Sequence, residues 1–559
     1  MSKLLEPTWN KPIKEYDIAR DPLGISRVND RMIGELVNGF TVTTPRARYY
    51  SFYVWAIEQI GKKKLAKNDR EFKNVFYDLE RLYMMSCVAH EEDSEENHKD
   101  ITGSGTGREV WEQESDKISM NFTYFGNRLG GYGQNYQGSI FNIGLTTQEI
   151  DDEYERPSET GYKIIKKFDV LAKESKFLAY YSKSSISKRE LSKIGENLCL
   201  CKLKSQENSE KESLIELLFG MIGNNTRHST LRQESLSLIL HIIKQIQDKK
   251  STDTQDFLDA VYYNQIKTDE KNQNIIIPSK LDETSKKWKI VKAHDNFAFA
   301  IGAMLQSFLE FLEQEPIKGK TMNEFFDNYF LKLDDEINQL LDTKNIQKKG
   351  SIQKLIKTVL DENSIKVNSE LLEQSKQYEK NVNISSKINE HIFVKNIEEL
   401  RDLENPKIFE TITNSLLLVV LTGLRFYSII KSDESSFKWL KKLEKQDLGV
   451  LGFTNFVSEQ IIENKNLEEF VKKFIQKFVI SQAESIFKEK LRSNTANPKC
   501  WFHKSGSNYL ADREYYADHR NIRFSSAISL LHDLDIINKT ADSITCTKKS
   551  QKILDKVLQ

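Results

Sequence analysis

Proline occurs nine times in 559 residues, and a chain so poor in helix breakers can run long helices wherever its apolar residues fall three and four apart. They do so repeatedly. Leu214, Leu217, Leu218 and Met221 form one such run, and Leu236, Leu238, Ile239, Ile242 and Ile243 a second. Phe297, Ile301, Leu305, Phe308 and Leu312 form a third, and Phe325, Phe326, Tyr329 and Leu331 a fourth. The spacing predicts a helical array over 187–341, without the fixed period of a solenoid. A mean hydropathy of −0.55 is low, yet 30 Phe, 21 Tyr and 6 Trp supply large core side chains. The longest uncharged apolar stretch, 411–424, is shorter than the roughly 20 residues of a membrane span and reads as a buried core helix.

The length predicts roughly three or four domains at about 150 residues each. The expected division places an N-terminal domain at 1–150, helical domains at 151–341 and 395–484, and a winged-helix-like domain at 485–559. Residues 342–394, rich in Lys, Asn and Ser, read as a charged linker or a solvated helical arm. Nine of the 24 glycines fall between Gly103 and Gly144, interleaved with Phe122, Tyr124, Phe125, Tyr132, Tyr136 and Phe141. Glycine permits positive φ and aromatics suit strands, so a small β element near 120–145, or a binding loop, is expected there. The fold class is therefore mainly α: a multi-domain helical protein with that small β element and a C-terminal winged helix.

Lys plus Arg and Asp plus Glu each number 82, which excludes a globally basic nucleic-acid coat and an acidic tail-like protein. Five cysteines, an odd and sparse set, argue against a disulfide framework and for a reducing compartment. With no apolar leader in the first nine residues, a soluble cytoplasmic protein with no membrane partner is expected.

The most informative motif starts at Thr44-Pro45. Threonine is a good N-cap and proline suits the first helical position, so a helix is expected from there to about Ile60. Arg46 and Arg48 then occupy the first turn, where free N–H groups already carry partial positive charge. Two arginines belong there if an anion binds, whether a phosphate, a nucleic acid or a carboxylate of the same chain.

Other motifs give less. Cys199-Leu-Cys201 lacks the spacing of a zinc knuckle, and His90 and His98 flank an acidic run that reads as solvated surface, so no metal is assigned to either. Gly103-Ser-Gly-Thr-Gly107 has no following Lys-Ser/Thr, which excludes a Walker-type loop. Asp169, Glu174 and Lys176 carry the letters of a nuclease core, but on a polar helix and not the apolar strand that chemistry needs. No hydrolase or zinc-protease motif is present. No cofactor is expected and no catalytic residue is assigned.

At the C-terminal end a helix is expected over 520–534, then short strands near 536–537 and 543–547, then a closing helix through Val557. Arg513, Arg520, Arg523, Lys548 and Lys549 gather on this unit, and a basic face can meet DNA phosphates even when the whole chain is neutral. The helix from Thr44 to Phe52, Thr-x-Arg-x-Arg-Tyr-x-x-Phe, resembles that of uncharacterised bacterial proteins of antiphage defence islands. The resemblance runs from Asp21 to Gly144, taking in the Glu80–His90 region and Gly130-Gly131-Tyr132. It implies a non-catalytic or regulatory DNA-contacting subunit of an antiviral complex, with DNA and other protein subunits as partners. The alternatives are a metal-dependent nuclease and a pure protein scaffold.

Overall fold

The structure, a computed structural model, describes residues 21–559 apart from 93–97, 149–153, 206–208, 223–226, 247–251, 269–271, 316–317, 367–369, 404, 493–499 and 541–542. It is mainly helical, and its strands among the described residues pair two by two into small antiparallel hairpins. Two compact units divide the chain: residues 1–32 with 286–520, and residues 33–285 with 521–559.

The first unit is built around the helix Ile408–Ser432, whose residues Leu416 to Leu421 are all inaccessible to solvent. The uncharged stretch 411–424 is thus a core helix, as its composition predicts. The helices Leu371–Asn381, Glu390–Arg401 and Val450–Ile462 pack on it. The interval 342–394 is therefore neither a linker nor a solvated arm. Its helices bury Leu355, Ile356, Val359 and Tyr378, an apolar stripe that the surrounding Lys and Asn residues obscure in the sequence. Arg425, fully buried, pairs with Glu390 at 2.7 Å and ties two of these helices together.

The second unit holds the tyrosine-rich helix Arg48–Lys62, the long helix Asp69–Glu92 and the helices Glu159–Glu174 and Lys188–Leu198. Their shared core is aromatic. Phe52 stacks on Tyr83 with ring centroids 4.0 Å apart, and Tyr49 stacks on Tyr53 at 5.0 Å. The stretch 187–341, expected as one helical array, is helical but divides between the two units at 285/286, and a hairpin pairing Gln265–Lys267 with Asn272–Asn274 interrupts it.

The glycine and aromatic segment is not a β element. The short strands Lys117–Ser119 and Thr146–Thr147 flank 120–145, where the β element is expected, and residues 132–142 are helical. Its aromatics and glycines surround one carboxylate instead of alternating along a strand. Glu80, inaccessible to solvent, accepts from the Tyr53 hydroxyl at 2.5 Å, the Tyr124 hydroxyl at 2.5 Å, and the N–H groups of Gly131 at 2.8 Å and Tyr132 at 3.1 Å. Gly130, at φ +59°, could carry no side chain here, because a Cβ would lie 1.8 Å from the Glu80 carboxylate. Burial pushes the Glu80 pKa up, and these hydrogen bonds pull against that shift.

At the C-terminal end the expected order of elements is found: helix Phe524–Asp533, hairpin Ile537–Lys539 with Ile544–Cys546, helix Lys548–Leu558. The boundary between the units falls at 520/521, inside the 485–559 stretch read as one winged helix. The helix Phe524–Asp533, lying where a helix is expected over 520–534, buries Phe524, Ala527, Ile528, Leu530 and Leu531.

Candidate metal centre

The tyrosine-rich helix begins at Arg48, not at Thr44. The Thr44 hydroxyl accepts from the N–H of Thr41 at 2.7 Å, which closes a turn ahead of the helix in place of capping it. The anion foreseen at the helix start is Asp533. Its carboxylate accepts from the N–H of Ala47 at 3.0 Å and from Arg46 Nε at 2.9 Å. Burial works against the Arg46 charge, and Asp533 more than offsets it, raising the guanidinium pKa. Arg48 pairs with a different carboxylate, Glu210, at 2.9 Å, and both partners are buried. Each arginine thus has an internal carboxylate, and neither guanidinium is open to a phosphate.

Both arginines also reach past their carboxylates to backbone carbonyls. Arg46 Nη1 donates to the carbonyl of Lys99 at 2.6 Å, the residue after His98. Arg48 Nη1 donates to the carbonyls of Asn197 at 3.1 Å and Cys199 at 2.8 Å, at the C-terminal end of the helix Lys188–Leu198. A cation is favoured at that end, where carbonyls lack intrahelical partners.

The two loop ends held in this way converge. His90 lies on the last turn of the helix Asp69–Glu92, and Cys199 and Cys201 lie in the turn that follows Leu198. That turn sits close to His90 because Gly195 carries no side chain. A Cβ there would lie 2.3 Å from the carbonyl oxygen of Ser86 and 2.7 Å from the Cβ of His90. One ligand atom from each of His90, His98, Cys199 and Cys201 falls within 4.8 Å of all the others, and all four residues are buried. His90 Nδ1 is 3.1 Å from His98 Nε2, and Cys201 Sγ is 3.4 Å and 3.5 Å from those two nitrogens. Burial alone would raise the Cys199 thiol. Hydrogen bonds with Cys201, Cys87, His90 and His98 outweigh it and hold the group well below the ordinary thiol range, while burial pushes Cys87 up. A cavity of 380 Å³ lined by Arg46, Cys201, Lys204, His532, Asp533 and Asp535 opens beside Cys201. Two thiols and two imidazoles at one point can hold a borderline-soft cation.

The remaining expected site residues divide between the two units. Arg513 lies over the Trp501 ring, 5.9 Å from its centroid, and lines a 950 Å³ cavity with Glu310, Glu313 and Glu514. Arg520 donates to Ser26 Oγ at 2.8 Å, and Arg523 donates to the Phe40 carbonyl at 2.7 Å. Lys549 pairs with Asp535 at 3.2 Å, whereas Lys548 is exposed. Arg513 and Arg520 belong to one unit, and Arg523, Lys548 and Lys549 to the other. Asp169 accepts from the Trp55 indole at 3.0 Å and pairs with Lys173 on the same helix, Glu159–Glu174.

The four-residue cluster was within reach of the sequence only as two weak signals. His90 and His98 stand 111 and 103 residues before Cys201, and neither pair has a recognised metal spacing alone. No family model, curated protein or solved structure matches this chain.

Proposed function

We propose that the chain is a non-catalytic, DNA-contacting subunit of a bacterial antiviral complex, and that it meets DNA through its last helix and not through its arginines. The observation that carries this reading is a lysine stripe on the helix Lys548–Leu558. Lys548, Lys552 and Lys556, four residues apart, share one exposed face, while Ile553, Leu554 and Val557 are buried on the other. Lys539, exposed at the end of the strand Ile537–Lys539, adds a further cation on the preceding hairpin. In this reading the hairpin and closing helix act as the wing half of a winged helix that tracks the phosphate backbone. The helix Phe524–Asp533 stays in the core. The resemblance of the N-terminal motif to defence-island proteins supports the biological setting, with other protein subunits supplying any catalysis.

The test is the affinity for duplex DNA as a function of salt, measured on the full chain and on a Lys548→Glu/Lys552→Glu/Lys556→Glu variant. Loss of these phosphate contacts should weaken binding to all sequences alike and flatten the slope of log affinity against log salt by about 0.9 per contact, or about 2–3 in total. Equal slopes and affinities would refute the proposal, as would a wild-type chain that does not bind DNA.

A further inference from the structure

We infer that His90, His98, Cys199 and Cys201 bind one zinc ion in a closed, structural site. Zinc in a tetrahedral Cys₂His₂ set has bonds of about 2.0–2.1 Å to nitrogen and about 2.3 Å to sulfur. Those bonds fix the edges of the tetrahedron: about 3.3 Å between nitrogens, about 3.6 Å from nitrogen to sulfur, and about 3.8 Å between sulfurs. The observed separations of 3.1 Å between the imidazole nitrogens, and of 3.4 Å and 3.5 Å from Cys201 to each, match three of these edges to within a few tenths of an ångström, and Cys199 completes the set with all four ligand atoms within 4.8 Å of one another. Hydrogen bonds account for these contacts pair by pair, whereas a single ion accounts for the convergence of all four ligand atoms in one buried place.

The donor set selects the ion. Thiolate and imidazole favour zinc over magnesium or calcium, which take oxygen ligands. Two thiolates neutralise a divalent cation, so the filled site places no net charge in the interior, which a buried site requires. Four protein ligands leave no position for water or substrate, which makes the site structural and not hydrolytic. Outer contacts hold the ligands in place: Arg46 on the carbonyl of Lys99 and Arg48 on the carbonyl of Cys199. The cavity beside Cys201 gives the ion a route in. An ion held here would join the end of the helix Asp69–Glu92 to the turn after Leu198 and stiffen the core of the second unit. The proposal is independent of DNA contact.

The experiment is metal analysis by mass spectrometry on the full chain, purified under reducing conditions without chelator. It is paired with the visible spectrum of the chain after metal removal and cobalt loading. One zinc ion per chain is expected, with the thiolate-to-cobalt charge-transfer and intense ligand-field bands of a tetrahedral two-sulfur site. A Cys199→Ser/Cys201→Ser variant should lose the zinc, and a His90→Ala/His98→Ala variant should lose it while its cysteines remain. Cys87→Ala should keep it. If the ligand variants fail to fold, the wild-type cobalt spectrum still decides the matter. A folded wild-type chain that carries no zinc and takes up no cobalt would overturn the assignment. So would iron as the native metal, or loss of zinc in Cys87→Ala equal to that in the double variants.

Discussion

Arg48 is a charge with no route to solvent, and its pairing with Glu210 turns an unfavourable place near a helix start into a clamp. Removing one partner of such a pair leaves the other charge buried, at a cost of about 3–5 kcal/mol, whereas replacing both with apolar residues of similar volume is close to neutral. Arg48→Met should therefore lower the urea midpoint sharply, and Arg48→Met/Glu210→Leu should recover much of the loss. A double variant no more stable than the single one would show that the carbonyl contacts to Asn197 and Cys199 dominate. In the first unit His519 is held between Asp295 at 2.7 Å and Glu398 at 3.1 Å. Burial opposes its charge, but Asp295 more than offsets that, and the imidazole pKa rises to about 9 from an ordinary 6.5. Because the folded pKa is the higher one, the stabilisation is fully present below about pH 6.5 and is lost as pH rises through about 9. Its size is on the order of 3 kcal/mol. The Tm gap between wild type and His519→Asn should thus be wide at pH 6 and narrow at pH 10. A gap that grows with pH would contradict this account.

Two elements set the geometry of the metal centre, the helices Asp69–Glu92 and Lys188–Leu198, and their close crossing depends on Gly195. Gly195→Ala would force the second helix away from Ser86 and His90, at about 1–3 kcal/mol, and would carry the Cys199 turn with it. A lower Tm and faster zinc loss to a chelator are expected, and an unchanged zinc off-rate would argue against the crossing as the positioning device. The start of the tyrosine-rich helix shows what local sequence can and cannot say. Thr44-Pro45 is a sound N-terminal signal, yet the Thr44 hydroxyl is committed to Thr41, and the anion at the helix start comes from Asp533. The expectation of an anion beside two arginines was readable from charge placement alone. Which anion it was depended on a contact 486 residues away.

Across the whole molecule, the helical class and the core helix at 408–432 were legible because apolar period is a local property. The division into units was not, because residues 33–285 are joined with 521–559 by packing that no window of sequence contains. The same holds for the metal centre, where two unremarkable pairs become one site only after the helices cross. The glycine-rich segment misled for a related reason: its composition suits a strand or a phosphate loop, but the carboxylate it surrounds is Glu80 of the same unit. The Thr44–Phe52 motif is an internal clamp on the zinc centre and not a nucleic-acid contact. The zinc affinity of Arg48→Lys, measured by chelator competition against wild type, tests this. Lysine keeps the charge beside Glu210 but cannot also span to the Cys199 carbonyl, so affinity should fall by roughly 10–100-fold, the range for outer contacts of metal ligands. Unchanged zinc affinity in this variant would contradict the claim.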